Sequence, residues 1–453
     1  MNRYFLLTFA FLPVIVIGGV LVLHFFGQPA QADAAKREGL DKEIALYMEV
    51  RDNLMTRWDG DAEPLKIGNG ALVGAAEALG DKYTRVNPPL EAREQEMQLK
   101  GSFYGIGATL RNNPDGSLFI RSLNRDGPAE RAGMMVRDVV IAVDGYSCLG
   151  RPADEIHKRI RNELPDTSVV LTVLRGGGGA NGRDEKAQRV DILIKRGEIT
   201  SYSVHDVHIE TRDGRKFGYL RISDFNSNTY KKLFVEAVAT LTSQGAEGLI
   251  VDMRGNGGGK VEVAVELVDS LIAQRDKLIT FTRSTRPENH KDDKEYRTRD
   301  ESAITQLPLV LLVDRSSASA TEIVTGALKD MGRAVVIGER TFGKGLVQAV
   351  ISLKTDPTYS MNITTTQYFT PLGRKVQNGV NGERGGIAPH IEINYRDKAE
   401  ADLIYEKFNL QRLRINSEDL LETDAERRAF RAEDRFVVAA LDLLSGKPVN
   451  VAK

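Results

Sequence analysis

Changes in the pattern of apolar and polar positions mark out the chain. Phe5 to Phe26 is apolar almost without interruption, about 22 residues, long enough to cross a bilayer. Arg3 precedes it, Gly27 and Pro29 break it, and Ala30-Gln31-Ala32 follows with the small-residue spacing of a signal-cleavage site. Residues 1–32 are therefore expected to be a cleaved signal peptide or a retained single membrane anchor. Both export the remainder. From Asp41 to Trp58 apolar residues recur at Ile44, Tyr47, Met48, Leu54, Met55 and Trp58, the period of an amphipathic helix. Asn69 to Leu79 reads as a second, alanine-rich helix. The region 33–100 is thus helical, either a collar on the next domain or a dimerisation surface.

Gly101 to Arg196 changes to short β-like runs at Phe103–Leu110, Leu118–Ser122, Val139–Val143, Val169–Arg175 and Val190–Lys195, with one helix over Ala153–Arg161. Gly127 to Gly133 (GPAERAG) reads as a helical turn, with Pro at its start and Gly at its end. The glycine run Gly176–Gly179 joins two strands and lacks GK[ST], so it reads as a hairpin turn rather than a phosphate loop. From Gly218 onward strands and helices alternate. Strands are expected at Gly218–Ile222, Gly248–Met253, Leu278–Phe281, Leu307–Val313, Ala334–Ile337, Leu346–Ile351 and Ser360–Gln367. Helices are expected at Thr229–Gln244, Val261–Ile272 and Ile323–Leu328. This is an α/β pattern with a largely parallel sheet. Arg283–Glu301 is dense in charge without apolar period and reads as an exposed excursion. Ala399–Gly446 is charged and helical, ending in Phe436–Leu444, and reads as a docked tail.

Composition removes several function classes. Lys plus Arg number 62 and Asp plus Glu 63, without the basic excess of a dedicated nucleic-acid binder. Cys148 is the one cysteine, so no internal disulfide and no multi-thiolate zinc site can form. His205 and His208 suggest a metal pair, but their i, i+3 spacing falls in a strand-like run, and no metal or cofactor is expected.

The chemistry converges on Leu307–Gln348. In α/β sheets ligands bind at the carboxyl ends of strands. Asp252–Gly259, Ser316–Glu322 and Gly343-Lys344 all follow strands and so share one edge. Ser319-Ala320-Thr321-Glu322 fits a helix capping box. Gly338 to Lys344 fits G-x-x-x-x-G-K, but Gly345 follows where a P-loop needs Ser or Thr, and a strand follows where it needs a helix. A serine nucleophile needs an adjacent base, yet no histidine is placed for it and no G-x-S-x-G elbow exists. A lysine serves if its amine is neutral, and an apolar setting, here Phe342 and Leu346, favours the neutral form. Backbone N–H donors for a tetrahedral intermediate are available in Gly257-Gly258-Gly259 and at Ala320, beside the serine at a helix start.

Two resemblances follow. Phe103-Tyr104-Gly105-Ile106-Gly107, the GPAERAG turn and Asp138-Val139-Val140-Ile141-Ala142-Val143-Asp144-Gly145 resemble a PDZ domain of the protease-associated kind. Such domains add a peptide strand to a sheet edge and hold its terminal carboxylate in a loop of N–H groups. Here that loop would be Gly105, Ile106 and Gly107. The order Asp252–Gly259 (D-x-R-x-N-x-G-G), Ser316–Glu322, Thr341–Gln348 (T-F-G-K-G-x-V-Q), Thr365–Gly373 and Gly386–Pro389 resembles the carboxyl-terminal processing peptidases, or tail-specific proteases. Two departures stand out: Gly257 where the family usually has proline, and His390 where it usually has aspartate.

The resemblance implies a crotonase-like α/β protease core with an inserted PDZ domain, mixed α+β, between helical N- and C-terminal extensions. The expected boundaries are 33–100 for the helical region, 101–197 for the PDZ domain, 198–395 for the protease core and 396–453 for the helical tail. Carried over by position, Ser319 is the nucleophile, Lys344 the general base and Gln348 its orienting partner, on one face if the intervening segment is a strand. Gly258 and Ala320 would form the oxyanion hole. The expected function is an exported serine endopeptidase of the cell envelope, periplasmic or inner-membrane anchored. It would bind polypeptides by their C-termini and pair as a homodimer through its terminal helices. The rival is a catalytically silent PDZ scaffold.

Overall fold

The computed structural model describes residues 39–112, 118–124, 126–148, 150–161, 167–176, 187–200, 202–226, 230–299, 301–379, 381–412 and 433–449. The Phe5–Phe26 stretch and its cleavage pattern lie outside the described residues. No helix among the described residues is long and apolar enough to cross a membrane. The chain divides into two compact units, Met1–Asp81 and Lys82–Lys453. In the first, a helix spans 39–57 and a second spans Pro64–Glu77, with Pro64 in the first turn, where its missing N–H has no helical partner to lose.

Within the second unit, six strands form the central sheet in the order Val204–Arg212, Arg215–Ile222, Leu249–Asp252, Leu309–Val313, Val335–Gly338, Ile391–Glu392. The first pair is antiparallel and every later pair is parallel. Leu249–Asp252 and Leu309–Val313 are buried at every position. That is why they read as unbroken apolar runs: a parallel sheet is covered on both faces. One face packs the helices Tyr230–Ser243, Val261–Leu271 and Ala320–Asp330 through Phe234, Leu241, Leu267, Val324 and Leu328. The other packs Lys398–Arg412 and Arg435–Leu444 through Ile404, Phe436, Val437, Ala440 and Leu441. The last helix thus packs on the sheet's second face beside Lys398–Arg412.

A second, antiparallel sheet carries Arg85–Asn87, Ser360–Phe369, Leu278–Arg283 and Glu295–Arg297, with Leu346–Ser352 also paired to Ser360–Phe369. Arg283–Glu301 is thus not a bare excursion. It holds a 3-10 turn, Pro287–Asp292, and the strand Glu295–Arg297. That strand has only polar or half-buried positions because one edge lies open, and no apolar period announces it.

A separate β cluster has the order Ala108–Asn112, Leu118–Leu123, Val139–Val143, Ser168–Arg175, Gln188–Lys195, all antiparallel, around a core of Ile120, Val140, Ile156, Leu171 and Ile194. The two strands flanking the Gly176 turn pair as a hairpin, as their sequence implies. The expected single run Phe103–Leu110 is two strands, Ser102–Gly105 and Ala108–Asn112. Gly107, at φ +71°, breaks it.

Candidate active site

Ser319 stands between the buried strand Leu309–Val313 and the helix Ala320–Asp330. Asp314 ends the strand and organises the turn. Its fully buried carboxylate accepts the N–H groups of Gly255, Ser316 and Ser317 at 3.0, 3.0 and 3.1 Å, and the hydroxyls of Tyr395 and Tyr405 at 3.0 and 2.8 Å. Ser317 Oγ donates to the Met253 carbonyl at 2.9 Å. Ser316 and Ser317 are thus structural serines.

Ser319 itself has φ 57° and ψ −119°. Those are the angles of the first central residue of a type II′ turn, the mirror image of type II, where glycine is usual. The turn is closed by Thr321 N–H donating to the Ala318 carbonyl at 3.2 Å. A non-glycine residue in this region is strained, and such strain concentrates at functional sites. The turn leaves Ser319 half-buried and starts the helix at Ala320, whose N–H has no partner within its own helix.

Glu322 makes the arm of the capping box that reaches backwards, accepting the Ser319 N–H at 2.8 Å. It does more than cap. The same oxygen, Oε2, accepts the Lys344 N–H at 2.9 Å, and Oε1 accepts the Thr341 hydroxyl at 2.6 Å and the Gly343 N–H at 2.7 Å. Burial is the larger influence on this carboxyl and pushes it above the ordinary glutamate range, against the pull of its four donors. The Tyr368 hydroxyl lies 2.9 Å from the Ser319 carbonyl and 2.5 Å from the Lys344 carbonyl. Burial, with the Glu322 charge, holds that phenol far above the usual tyrosine range, so it stays a donor. Ser319 and Lys344 are therefore pinned together twice, through their amides and through their carbonyls.

The glycine turn after Leu249–Asp252 meets the serine. A Cβ built on Gly258 (φ +104°) would lie 2.8 Å from the Ala318 carbonyl oxygen, 2.9 Å from Ser319 Cβ and 3.0 Å from the Ala320 nitrogen. Asn256 locks this turn: Nδ2 donates to the Ile222 carbonyl at 3.1 Å, and its own carbonyl accepts Ala318 N–H at 2.9 Å and Thr321 Oγ1–H at 3.0 Å. Asn256 Oδ1 also accepts the Gly258 N–H at 2.9 Å, so that candidate oxyanion donor is engaged within the turn.

Gln348 is half-buried on Leu346–Ser352, next to a register shift after Val347, and its Nε2 donates to Thr364 Oγ1 at 3.3 Å. Lys344 precedes the strand, which begins at Leu346, so the one-face argument from strand spacing does not hold. Nor does Phe342 wall the lysine in: it is 43% exposed. The aromatic face over the Lys344 ammonium is that of Tyr83, 4.7 Å away, which sequence reasoning missed, as it missed Tyr368. Asp330 fastens the far end of the serine's helix, accepting Leu372 N–H at 3.2 Å and pairing with Arg374.

In the separate β cluster, Gly105 ends a strand, Ile106 is buried and Gly107 follows. The Ile106 and Gly107 carbonyls accept N–H groups of Ala129 and Asn124 at 2.7 and 2.8 Å. His208, set aside as a ligand, has protein partners on both ring nitrogens, the Asp206 carbonyl at 2.9 Å and Glu210 Oε1 at 2.8 Å.

The model of peptidase family S41 matches residues 216–393 and that of the PDZ domain residues 119–175. The chain is thus a serine-type peptidase that carries a PDZ domain, and polypeptides are its substrates. A carboxyl-terminal-processing protease of Picosynechococcus sp. is 30% identical over 350 residues, covering 76% of this chain and 79% of that protein. The carboxy-terminal processing protease CtpA of Bacillus subtilis is 29% identical over 404 residues, covering 88% and 79%. A crystal structure assigned to the S41 proteases, from Bacteroides fragilis, shares the fold with a TM-score of 0.52 at 16% identity, over 86% of this chain and 92% of that one. The chain belongs to the carboxyl-terminal processing protease family.

Proposed function

We propose that this protein is an exported endopeptidase that binds substrate C-termini through its PDZ domain and cleaves by a Ser–Lys acyl-enzyme mechanism. The observation that carries the reading is the double fastening of Ser319 to Lys344 by Glu322 and Tyr368. Lys344, with its amine neutral, takes the Ser319 Oγ proton. Oγ then bonds to the scissile carbonyl carbon, and the carbonyl π pair moves to its oxygen. The Ala320 N–H receives that oxyanion, joined by the Gly258 N–H once it leaves Asn256 Oδ1. Collapse breaks the C–N bond, the Lys344 ammonium protonates the leaving amine, and water repeats the sequence on the ester. Gln348 acts on Lys344 through the strand and Thr364.

The parallel strands, with the helices that connect them on one face, support a crotonase-like core over 198–395, and the separate antiparallel cluster supports a PDZ domain over 101–197, whose Gly105–Gly107 loop takes the substrate carboxylate. The exposed apolar positions Ile44, Met48, Leu54 and Trp58 support pairing of two copies through the helices of 33–100. Residues 1–32 act as signal or membrane anchor, placing the enzyme in the cell envelope.

The test compares wild type with Ser319→Ala on a peptide with an apolar C-terminus, and labels both with a serine-reactive fluorophosphonate. Wild type cleaves and is labelled at Ser319, and the variant does neither. Equal cleavage by both sinks the mechanism, and absence of cleavage and label in both favours the silent scaffold.

A further inference from the structure

Tyr83 belongs to none of the motifs and lies outside both matched regions. It nonetheless reaches the centre of the site: the Lys344 ammonium lies 4.7 Å from the centroid of its ring, and the neighbouring Lys82 ammonium lies 5.0 Å from it. The strand after it explains how. Arg85–Asn87 pairs antiparallel with Ser360–Phe369, Arg85 opposite Asn362. Tyr83 stands in the turn two residues before Arg85, and its neighbour Thr84 meets Ser360–Phe369 at Thr364. On the other side of the same strand Gln348 pairs with Thr364. Thr364 thus links the segment that carries Tyr83 to the strand that carries Gln348. The link is bonded: Thr364 N–H donates to Thr84 Oγ1 at 3.1 Å, and Gln348 Nε2 donates to Thr364 Oγ1 at 3.3 Å. Thr84 is buried, and Asn87 Nδ2 adds bonds to Ser360 Oγ and Asn362 Oδ1 at 3.1 and 3.3 Å. The chain that follows Tyr83 is thus fastened to the sheet.

An aromatic face attracts an ammonium through its quadrupole and does little for a neutral amine. We propose that Tyr83 is a positioning residue for Lys344: its ring holds the amine at the serine and receives the positive charge that arises when Lys344 takes the Ser319 proton. This rests on the Ser–Lys reading above. In that step the O–H bond of Ser319 breaks, its proton bonds to Lys344 Nζ, and the freed pair forms the C–O bond to the substrate. The charge so made on Nζ lies over the ring. Two effects of opposite sign follow. At neutral pH the ring keeps the resting lysine charged and lowers the fraction of competent enzyme. In the competent fraction it makes the amine a stronger base and stabilises the charged transition state.

Removing the ring therefore moves the acid limb of the pH–rate profile to lower pH and lowers the alkaline plateau. A residue that only packs would lower the whole profile without moving the limb. The experiment measures kcat/KM of the full chain on one peptide between about pH 6 and 11 for wild type, Tyr83→Phe and Tyr83→Leu, with Ser319→Ala and Lys344→Ala as references. Tyr83→Phe keeps the face and is expected to leave the limb in place. Tyr83→Leu is expected to move it down by about 0.5–1 pH unit and to cut the plateau several-fold. A limb that stays or rises in Tyr83→Leu overturns the proposal. Wild-type cleavage by Lys344→Ala would instead sink the Ser–Lys reading, a separate outcome. Should Tyr83→Leu fail to fold, phenylalanines of increasing fluorination at position 83 keep the shape while draining the negative face. The limb then falls stepwise, and a constant limb overturns the proposal.

Discussion

Ser319 and Lys344 donate their backbone N–H groups to the same oxygen, Oε2 of Glu322, at 2.8 and 2.9 Å. A residue whose sequence position reads as a helix cap is thus the clamp between two turns. In Glu322→Gln one oxygen becomes an NH2 group facing N–H donors. Two donors lose their acceptor, each costing about 1–3 kcal/mol when buried, so roughly 2–6 kcal/mol of stability is expected to go. The turns would also separate, and misplacement by about 1 Å costs on the order of 10²-fold in rate. Denaturant unfolding and kcat/KM check both. Full activity in Glu322→Gln would mean the turns hold their distance without the clamp.

The strained backbone at Ser319 predicts a stability that runs against function. Ser319→Ala removes the hydroxyl but keeps the Cβ in a conformation that costs about 1–3 kcal/mol. Ser319→Gly removes both, at an unfolded-state entropy cost of about 0.5–1 kcal/mol. Both variants are expected to be inactive, with Ser319→Gly the more stable of the two by about 1 kcal/mol in equilibrium unfolding. If alanine matches or exceeds glycine, position 319 carries no strain.

The regular core was legible in the sequence because burial wrote it there. Leu249–Asp252 and Leu309–Val313 are covered on both faces and read as apolar runs, and Tyr230–Ser243 and Val261–Leu271 show the helical period of a single buried face. The helix Pro89–Lys100 escaped because none of its residues is buried, although Pro89 at its start and Gly101 (φ 74°) after its end were signals. The motif residues Ser319, Lys344 and Gly258 were found as a set. Their fasteners were not: Tyr368 lies inside the Thr365–Gly373 motif, but its spacing says nothing of the two carbonyls it meets, and Tyr83 lies in no motif and reaches Lys344 from a segment some 260 residues away (344 − 83 = 261).

Gly257 and Gly258 are adjacent and physically unlike. Gly258 has φ +104° and a Cβ there would collide with Ala318 O, while a Cβ on Gly257 meets nothing within 4 Å. Gly257→Ala is expected to keep activity and to stabilise the turn by about 0.4–1 kcal/mol through the unfolded chain. Gly258→Ala is expected to lose at least 10²-fold in kcat, the scale of one lost oxyanion donor, because the turn must shift away from Ser319. Comparable kcat in the two variants would refute this division.

Arg254 joins the Asp252–Gly259 turn to the last helix. Its guanidinium is fully buried, meets Asp252 at 2.6 Å and Asp434 at 2.8 Å, and lies 4.7 Å from the Phe436 ring centroid. Burial penalises the Asp252 charge, yet Arg254 and Arg221 outweigh it and hold that carboxyl below its ordinary range. Asp434 also caps its helix, accepting the Phe436 N–H at 3.0 Å. Removing one partner of a buried pair costs about 3–5 kcal/mol. Asp434→Ala should lose that and about 1 kcal/mol of cap, whereas Asp434→Asn keeps the cap acceptor and loses less. Equal unfolding midpoints for Asp434→Ala and wild type would show the pair to be idle.

His390, where the family usually has aspartate, gives the fold an acid-sensitive joint. Its Nδ1 accepts the Val336 N–H at 2.9 Å and its own N–H donates to the Val336 carbonyl at 2.7 Å, fastening the strand Ile391–Glu392 to the sheet. Partial burial, then the charges of Lys329 and Arg374, hold the imidazole below its ordinary value of 6.5. Protonation would turn the acceptor into a donor facing an N–H. Because the folded state binds this proton less readily than the unfolded chain, the contribution is complete above pH 6.5 and is lost as pH falls through the lower folded value. Wild type is therefore expected to lose Tm more steeply than His390→Asn on acidification from pH 7.5 to about 5. The asparagine retains an acceptor and has nothing to titrate. Parallel Tm–pH curves for the two proteins would show that His390 does not set the acid limb of stability.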